Sequence, residues 1–137
     1  MPRVPDADKI KAKQSRETTV YALHNSDRGA TKIGRAVNPQ IRRRNLQTGN
    51  HSELDITFIQ PVDKAIATKV ERTARDLAEY DLKKSRTREW LSDTTPEEAE
   101  WCIRVAYEQV RGNNGTAAIM RMRRKVMEPG FGLDEDG

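Results

Sequence analysis

TTVYALHNSDRGATKIGRAVNPQIRRR, residues 18–44, decides how this chain reads, because it sets Tyr21, Lys32 and Arg42 within two strands and the start of a helix. Residues 18–23 are β-branched and aromatic, and residues 30–34 resemble them. The Asn25-Ser26-Asp27-Arg28-Gly29 cluster between them is turn chemistry, so the pair predicts a β-hairpin. Strand alternation places Val20 and Ala22 on one face, Tyr21 and Leu23 on the other, and opposes Ile33 to Lys32. With Val20 and Ile33 toward the core, Tyr21 and Lys32 emerge together on the opposite face. Asn38-Pro39 then starts a helix over about residues 39–47, since Asn caps orphan amides and Pro suits the first helical position. Ile41 and Leu46 are expected to anchor that helix, while Arg42, Arg43 and Arg44 fan around it, one of them pointing back at the hairpin.

Working outward, residues 48–50 end the helix, and Leu54, Ile56 and Phe58 alternate with polar neighbours as a third strand whose apolar members face the core. Asp63 caps a long helix with the stripe Ile66, Val70, Ala74 and Leu77, ending near Tyr80. Glu71 on that helix has Ala67, Ala74 and Ala78 as surface neighbours, and small side chains there leave its carboxylate reachable by something large. Residues 86–91, with Glu89 and Trp90, read as a connector. Thr95-Pro96-Glu97-Glu98 is a capping box, and the helix it starts carries Ala99, Cys102, Ile103, Ala106 and Val110 on one face and stops at Gly112. A short basic helix with Arg121, Arg123, Arg124 and Lys125 and an acidic, glycine-rich tail follow as an appendage.

The expected architecture is therefore α/β of the α+β kind, a small three-stranded antiparallel sheet flanked by helices. It spans residues 18–112, with a mobile arm at 1–17 whose Lys9, Lys11, Lys13 and Arg16 offer DNA contacts, and a basic segment and flexible tail at 113–137.

Composition narrows the function classes. The 137 residues suffice for one modest core, with 35% hydrophobic, 5% aromatic and 34% charged residues. A formal net charge of +4 and a pI near 9.4 favour an anionic partner, nucleic acid being the commonest. The lone Cys102 excludes an intramolecular disulfide and a cysteine zinc site, which fits a reducing cytoplasm. No apolar run reaches the length of a membrane span, and the N-terminus lacks the apolar core of a signal peptide, so a cytoplasmic protein without membrane contact is expected.

The hairpin carries a resemblance. Thr19-Val20-Tyr21, ten intervening residues and then Lys32-Ile33-Gly34 resemble the paired signature of the GIY-YIG endonuclease superfamily. Residues 34–42 are similar to the stretch from that family's glycine to its catalytic arginine, here Arg42, and Glu71 followed by Arg72 resembles its metal-binding glutamate. The branch most similar is phage-type and often described only as DNA-binding. It has KIG in place of YIG, an LQTG segment (here residues 46–49) and a later EW pair, here Glu89-Trp90. Two positions depart from the pattern: Leu46 stands where many members of the superfamily have tyrosine or histidine, and Arg75 where the phage-type branch has histidine.

The resemblance implies a metal-dependent DNA endonuclease of a phage or mobile element, with Tyr21, Lys32, Arg42 and Glu71 as catalytic residues. Hydrolysing a phosphodiester needs an activated water, neutralised phosphoryl oxygens and help for the leaving oxygen. Glu71 would hold Mg²⁺ or Mn²⁺, which needs few protein carboxylates when phosphate is present. Arg42 would grip the scissile phosphate, and Tyr21 would orient or deprotonate water. A free tyrosine, with a pKa of about 10, is a poor base, so Lys32 is expected either to favour its phenolate or to bind phosphate itself. Arg35, Asn38, Arg43, Arg44 and His51 are expected at the DNA, with His24 or His51 as stand-ins for a missing proton carrier. No small-molecule cofactor is expected. A non-cleaving DNA-binding module and a phage or plasmid accessory protein are the rival readings.

Overall fold

The computed structural model describes residues 16–127; the lysines of the arm and the acidic tail at 128–137 lie outside the described residues. Strand β1 (Glu17–Asn25) turns back on β2 (Ala30–Ala36) through Gly29, whose φ of +62° is a left-handed conformation that side chains disfavour. Their antiparallel register pairs Tyr21 with Gly34 and Leu23 with Lys32. Helix α1 (Pro39–Thr48) begins as its sequence dictates: the Asn38 side chain accepts from the Ile41 N–H, and Pro39 occupies the first turn. Leu46 anchors α1 to the sheet, whereas Ile41 is 49% exposed and does not.

Strand β3 (Leu54–Asp63) pairs antiparallel with β1 and carries an irregularity that breaks strict alternation. Ala22 pairs with Phe58 and Leu23 with Ile56, so Thr57 is an extra residue in the ladder. Leu54 and Ile56 consequently pack with Tyr21 on one face of the sheet, while Phe58 packs with Val20 and Ala22 on the other. The expected common face of Leu54, Ile56 and Phe58 is thus split by the bulge.

Helix α2 (Lys64–Asp76) is capped by Asp63 and continues through a π-helical turn, Leu77–Asp81. The connector expected at residues 86–91 is instead a second hairpin, β4 (Arg86–Thr87) and β5 (Trp90–Leu91), turned by Arg88 at φ +57°. It docks on β2, with Lys32 opposite Trp90 and Thr31 opposite Leu91, so the sheet has five antiparallel strands in the order β3-β1-β2-β5-β4 rather than three. Two-residue strands give almost no periodic signal, and only the unpaired edge of β2 shows why they form.

Helix α3 (Pro96–Val110) opens with the complete Thr95–Glu98 capping box. Helix α4 (Asn114–Met127) packs back on it: Ala117 is buried in the main core, the Trp101 indole donates to the Met120 carbonyl, and Arg121 grips both oxygens of Asp81 at 2.8 and 2.9 Å. The main core lies between the Val20–Ile33 face of the sheet and helices α2, α3 and α4. The other face carries a smaller cluster of Tyr21, Leu23 and Leu54, joined by Leu46 and Trp90. No helix among the described residues is long and apolar enough to cross a membrane.

Candidate functional site

The smaller cluster positions the residues singled out above. Tyr21 is 1% exposed, and its ring lies across Gly34, the residue paired with it on β2. A Cβ at Gly34 would stand 2.6 Å from Tyr21 Oη and 2.7 Å from Cζ, closer than side-chain carbons approach such atoms. The glycine is therefore a space requirement of the tyrosine. Burial pushes the Tyr21 phenol above its ordinary 10.0, the Arg42 guanidinium beside it pulls the other way, and the Glu71 and Glu89 carboxylates add to the rise. Tyr21 is thus a protonated phenol at neutral pH in the free protein.

Lys32 is not the cation that favours a Tyr21 phenolate. It is 3% exposed, and its ammonium pairs with Glu89 at 2.9 Å, with the Glu89 carboxylate held below its ordinary range by Lys32. A buried ammonium needs a partner of opposite charge, and the β4–β5 hairpin supplies it. The KIG triplet and the EW pair thereby explain each other: Glu89 neutralises Lys32, and the indole of Trp90, opposite Lys32 in the ladder, joins the Tyr21 cluster.

Glu71 projects from α2 and is held by two guanidinium groups. Arg75, one turn on, reaches Glu71 Oε2 at 3.2 Å and also donates from Nε and Nη2 to the Ile33 carbonyl at 3.3 and 3.1 Å. Arg35 approaches Glu71 Oε1 at a looser 3.7 Å with its side chain 47% exposed. Arg75 thereby ties the glutamate helix to the backbone of β2. Leu46, at the other departure from the family pattern, packs against the Tyr21 cluster and supplies an apolar wall.

Tyr21, Arg42, Glu71, Lys32 and Glu89 form one electrostatic neighbourhood, with Arg42 exposed at its mouth. The other residues expected at the DNA are placed variously. Arg35 reaches this neighbourhood through Glu71, Asn38 serves as the α1 cap, and Arg43 donates to the Leu54 carbonyl at 3.3 Å. Arg44 and His51 are exposed, and His24 Nδ1 lies 2.9 Å from the Thr31 hydroxyl. The sequence reading missed Glu89 and Arg75 as members of the site. A signal was present for each: a buried-strand lysine demands an acid, and Arg75 stands one helical turn from Glu71.

Among the described residues no group of three His, Cys, Asp or Glu side chains converges as a metal cage. The donor set fits a different kind of site, one carboxylate with an oxygen, Oε1, only loosely paired at 3.7 Å. That suits a hydrated magnesium completed by phosphate oxygens and waters.

The T5orf172 domain model matches residues 18–110, the interval from the first strand through α3. No curated protein and no solved structure matches the chain.

Proposed function

The chain belongs to the T5orf172 domain family, and from that premise we propose that it is a DNA-binding phosphodiesterase, a GIY-YIG-like endonuclease acting with Mg²⁺ or Mn²⁺. The family is phage-associated and linked to nuclease-like folds, which supports the class of activity. The observation that carries the reading is the convergence of Tyr21, Arg42 and Glu71, from a strand, a helix start and a second helix, around one exposed guanidinium.

Arg42 grips the scissile phosphate, its planar fork matching two phosphoryl oxygens. The protonated Tyr21 hydroxyl, fixed across Gly34, orients the attacking water by hydrogen bonding. The water oxygen bonds to phosphorus, the bond from phosphorus to the leaving sugar oxygen breaks, the water gives its proton to solvent, and the departing oxygen takes one from solvent. Glu71 would hold the metal, which when bound supplies charge neutralisation at the phosphoryl oxygens. Arg75 keeps Glu71 aimed by bonding both the carboxylate and β2. Lys32, neutralised by Glu89, shapes the floor of the site.

A plasmid-nicking assay with Mg²⁺ or Mn²⁺ tests the proposal. Wild type nicks, and Arg42→Ala and Glu71→Ala each lose about 10²–10³-fold, the scale of removing one transition-state contact. Clean wild type that cleaves no single-stranded, duplex or branched DNA with either metal sinks the nuclease reading. One observation favours a second reading, DNA binding without cleavage: both Glu71 oxygens already face guanidinium groups. Salt-sensitive DNA binding by a wild type that never cleaves would select it.

A further inference from the structure

A cleft of about 560 Å³ opens between the turn of the first hairpin, the loop after α1 and the β4–β5 hairpin. Its volume is that of a small-ligand site, about 300–1,000 Å³, which admits one nucleotide and not a duplex. Asn25, Asn50 and Trp90 line it together with two exposed arginines, Arg28 and Arg88. None of these residues takes part in the hydrolysis proposed above.

The cleft shares a sheet face with the candidate site. Tyr21, Leu23 and Asn25 alternate onto one side of β1, Ala30 is opposite Asn25, Lys32 opposite Leu23, and Trp90 opposite Lys32. Its walls are fixed. The Thr94 N–H donates to the Gly29 carbonyl at 3.1 Å, and the buried Thr31 hydroxyl donates to the Thr94 carbonyl at 2.7 Å. Gln47 clamps the loop below, donating to the carbonyls of Asn50 and Ser52 at 3.2 and 2.8 Å and accepting from the Leu54 N–H at 2.8 Å. Asn25 Oδ1 accepts from the Arg28 N–H and Asn50 Oδ1 from the Ser52 N–H, so each amide has its Nδ2 donors to offer a ligand.

A half-buried indole, two amide donors and two cations in a preformed cleft match the chemistry of a single nucleotide: a base to stack, base carbonyls to meet the amides, and phosphates for the guanidinium groups. We propose that this cleft binds one unpaired nucleotide of a DNA strand, its base against Trp90 and its flanking phosphates on Arg28 and Arg88. The inference rests on the DNA reading above and adds a preference for DNA containing unpaired nucleotides. Asn25 lies four residues beyond Tyr21 on β1, roughly 13 Å along the strand, so the cleft opens beside the candidate site and not within it.

The test is binding by the full chain in EDTA, so that cleavage plays no part. The probes are a plain duplex, the same duplex with a single-thymidine bulge, and a short oligothymidylate. With Trp101→Phe leaving Trp90 as the sole indole, oligothymidylate quenches its fluorescence. The bulged duplex binds ~5- to 150-fold tighter than the plain one, the range that stacking one base supplies. Arg28→Ala with Arg88→Ala, both exposed and outside the cores, narrows that difference while plain-duplex binding changes little. Unquenched Trp90, equal affinity for bulged and plain duplex, or an equal loss on both in the arginine variant overturns the inference and leaves DNA binding standing. Failure to bind any of the three probes at low salt overturns it together with the functional reading.

Discussion

Replacing Gly34 by alanine tests the packing that defines the site. The added Cβ would lie 2.6 Å from Tyr21 Oη, 2.7 Å from Cζ and 3.1 Å from Cε1, against about 3.5–4.0 Å for unstrained contact. The ring cannot swing into solvent without uncovering a side chain that is 1% exposed and packed on Leu23 and Leu54. Overpacking of this kind costs about 1–3 kcal/mol, and the stiffer unfolded chain of an alanine variant returns about 0.4–1 kcal/mol. The net expectation is a destabilisation of about 1–2 kcal/mol. Urea unfolding followed by circular dichroism reads it as a lowered midpoint with unchanged slope. Gly49→Ala is the control, since nothing lies within 4 Å of the Cβ it would gain and its φ is −102°; it should stay within about 0.5 kcal/mol of wild type. Tyr21→Leu should remove most of the Gly34→Ala penalty in a double-mutant cycle. A Gly34→Ala protein as stable as the Gly49→Ala control would refute the claim that Tyr21 is pinned across that glycine.

The Lys32–Glu89 pair is lopsided, with side chains 4% and 58% exposed, so its two halves should respond unequally. Glu89→Ala strands a buried ammonium and should cost about 1–3 kcal/mol, below the range for fully buried pairs, whereas Lys32→Met leaves a solvated carboxylate and should cost less than about 1 kcal/mol; the reverse order in urea melts would contradict the assignment. Because Lys32 lowers the Glu89 pKa below its ordinary 4.5, the pair's contribution is present above that value and lost as pH falls through the lowered one, so Glu89→Gln should flatten this part of the acid limb of a stability–pH curve. Tyr21 should ionise above its ordinary 10.0 in an ultraviolet titration, a step missing from the Tyr21→Phe protein. Its phenol favours the folded state below pH 10 and ceases to do so as pH rises through the raised value, a loss that Tyr21→Phe removes. Cys102, fully buried with its thiol pushed up to about 12, should react with a thiol reagent only at the rate of unfolding; rapid modification of the native protein would contradict its placement in the core.

The elements with their own local signals were legible in the sequence. The Asn25–Gly29 turn, the Asn38-Pro39 start, the Asp63 cap and the Thr95–Glu98 box each encode a boundary by hydrogen bonds made within a few residues, and each appears where expected. The common face of Tyr21 and Lys32 was legible too, because alternation is a property of the strand alone. What escaped depends on residues far apart in the chain. The β4–β5 hairpin exists because β2 has an edge to fill, and Arg86–Thr87 and Trp90–Leu91 are too short to announce themselves. The partner of Lys32 came from that hairpin, so an electrostatic role assigned toward Tyr21 belonged to Arg42 instead. The exposure of Ile41 and the docking of α4 through Ala117 likewise follow from which surfaces meet, which helical spacing alone does not determine.

The extra residue at Thr57 gives β3 a double allegiance. Its first half furnishes Leu54 and Ile56 to the layer around Tyr21, and its second half furnishes Phe58, under the Arg104 guanidinium at 4.9 Å, to the layer beneath the helices. Deleting Thr57 would make Ile56 and Phe58 direct neighbours, and plain alternation would still send them to opposite faces, so each half of the strand would keep its own layer and only the local twist of the bulge would be lost. The residue that lets the two layers share one strand is therefore one the ladder can lose, so a one-residue deletion at 57 should leave both layers filled.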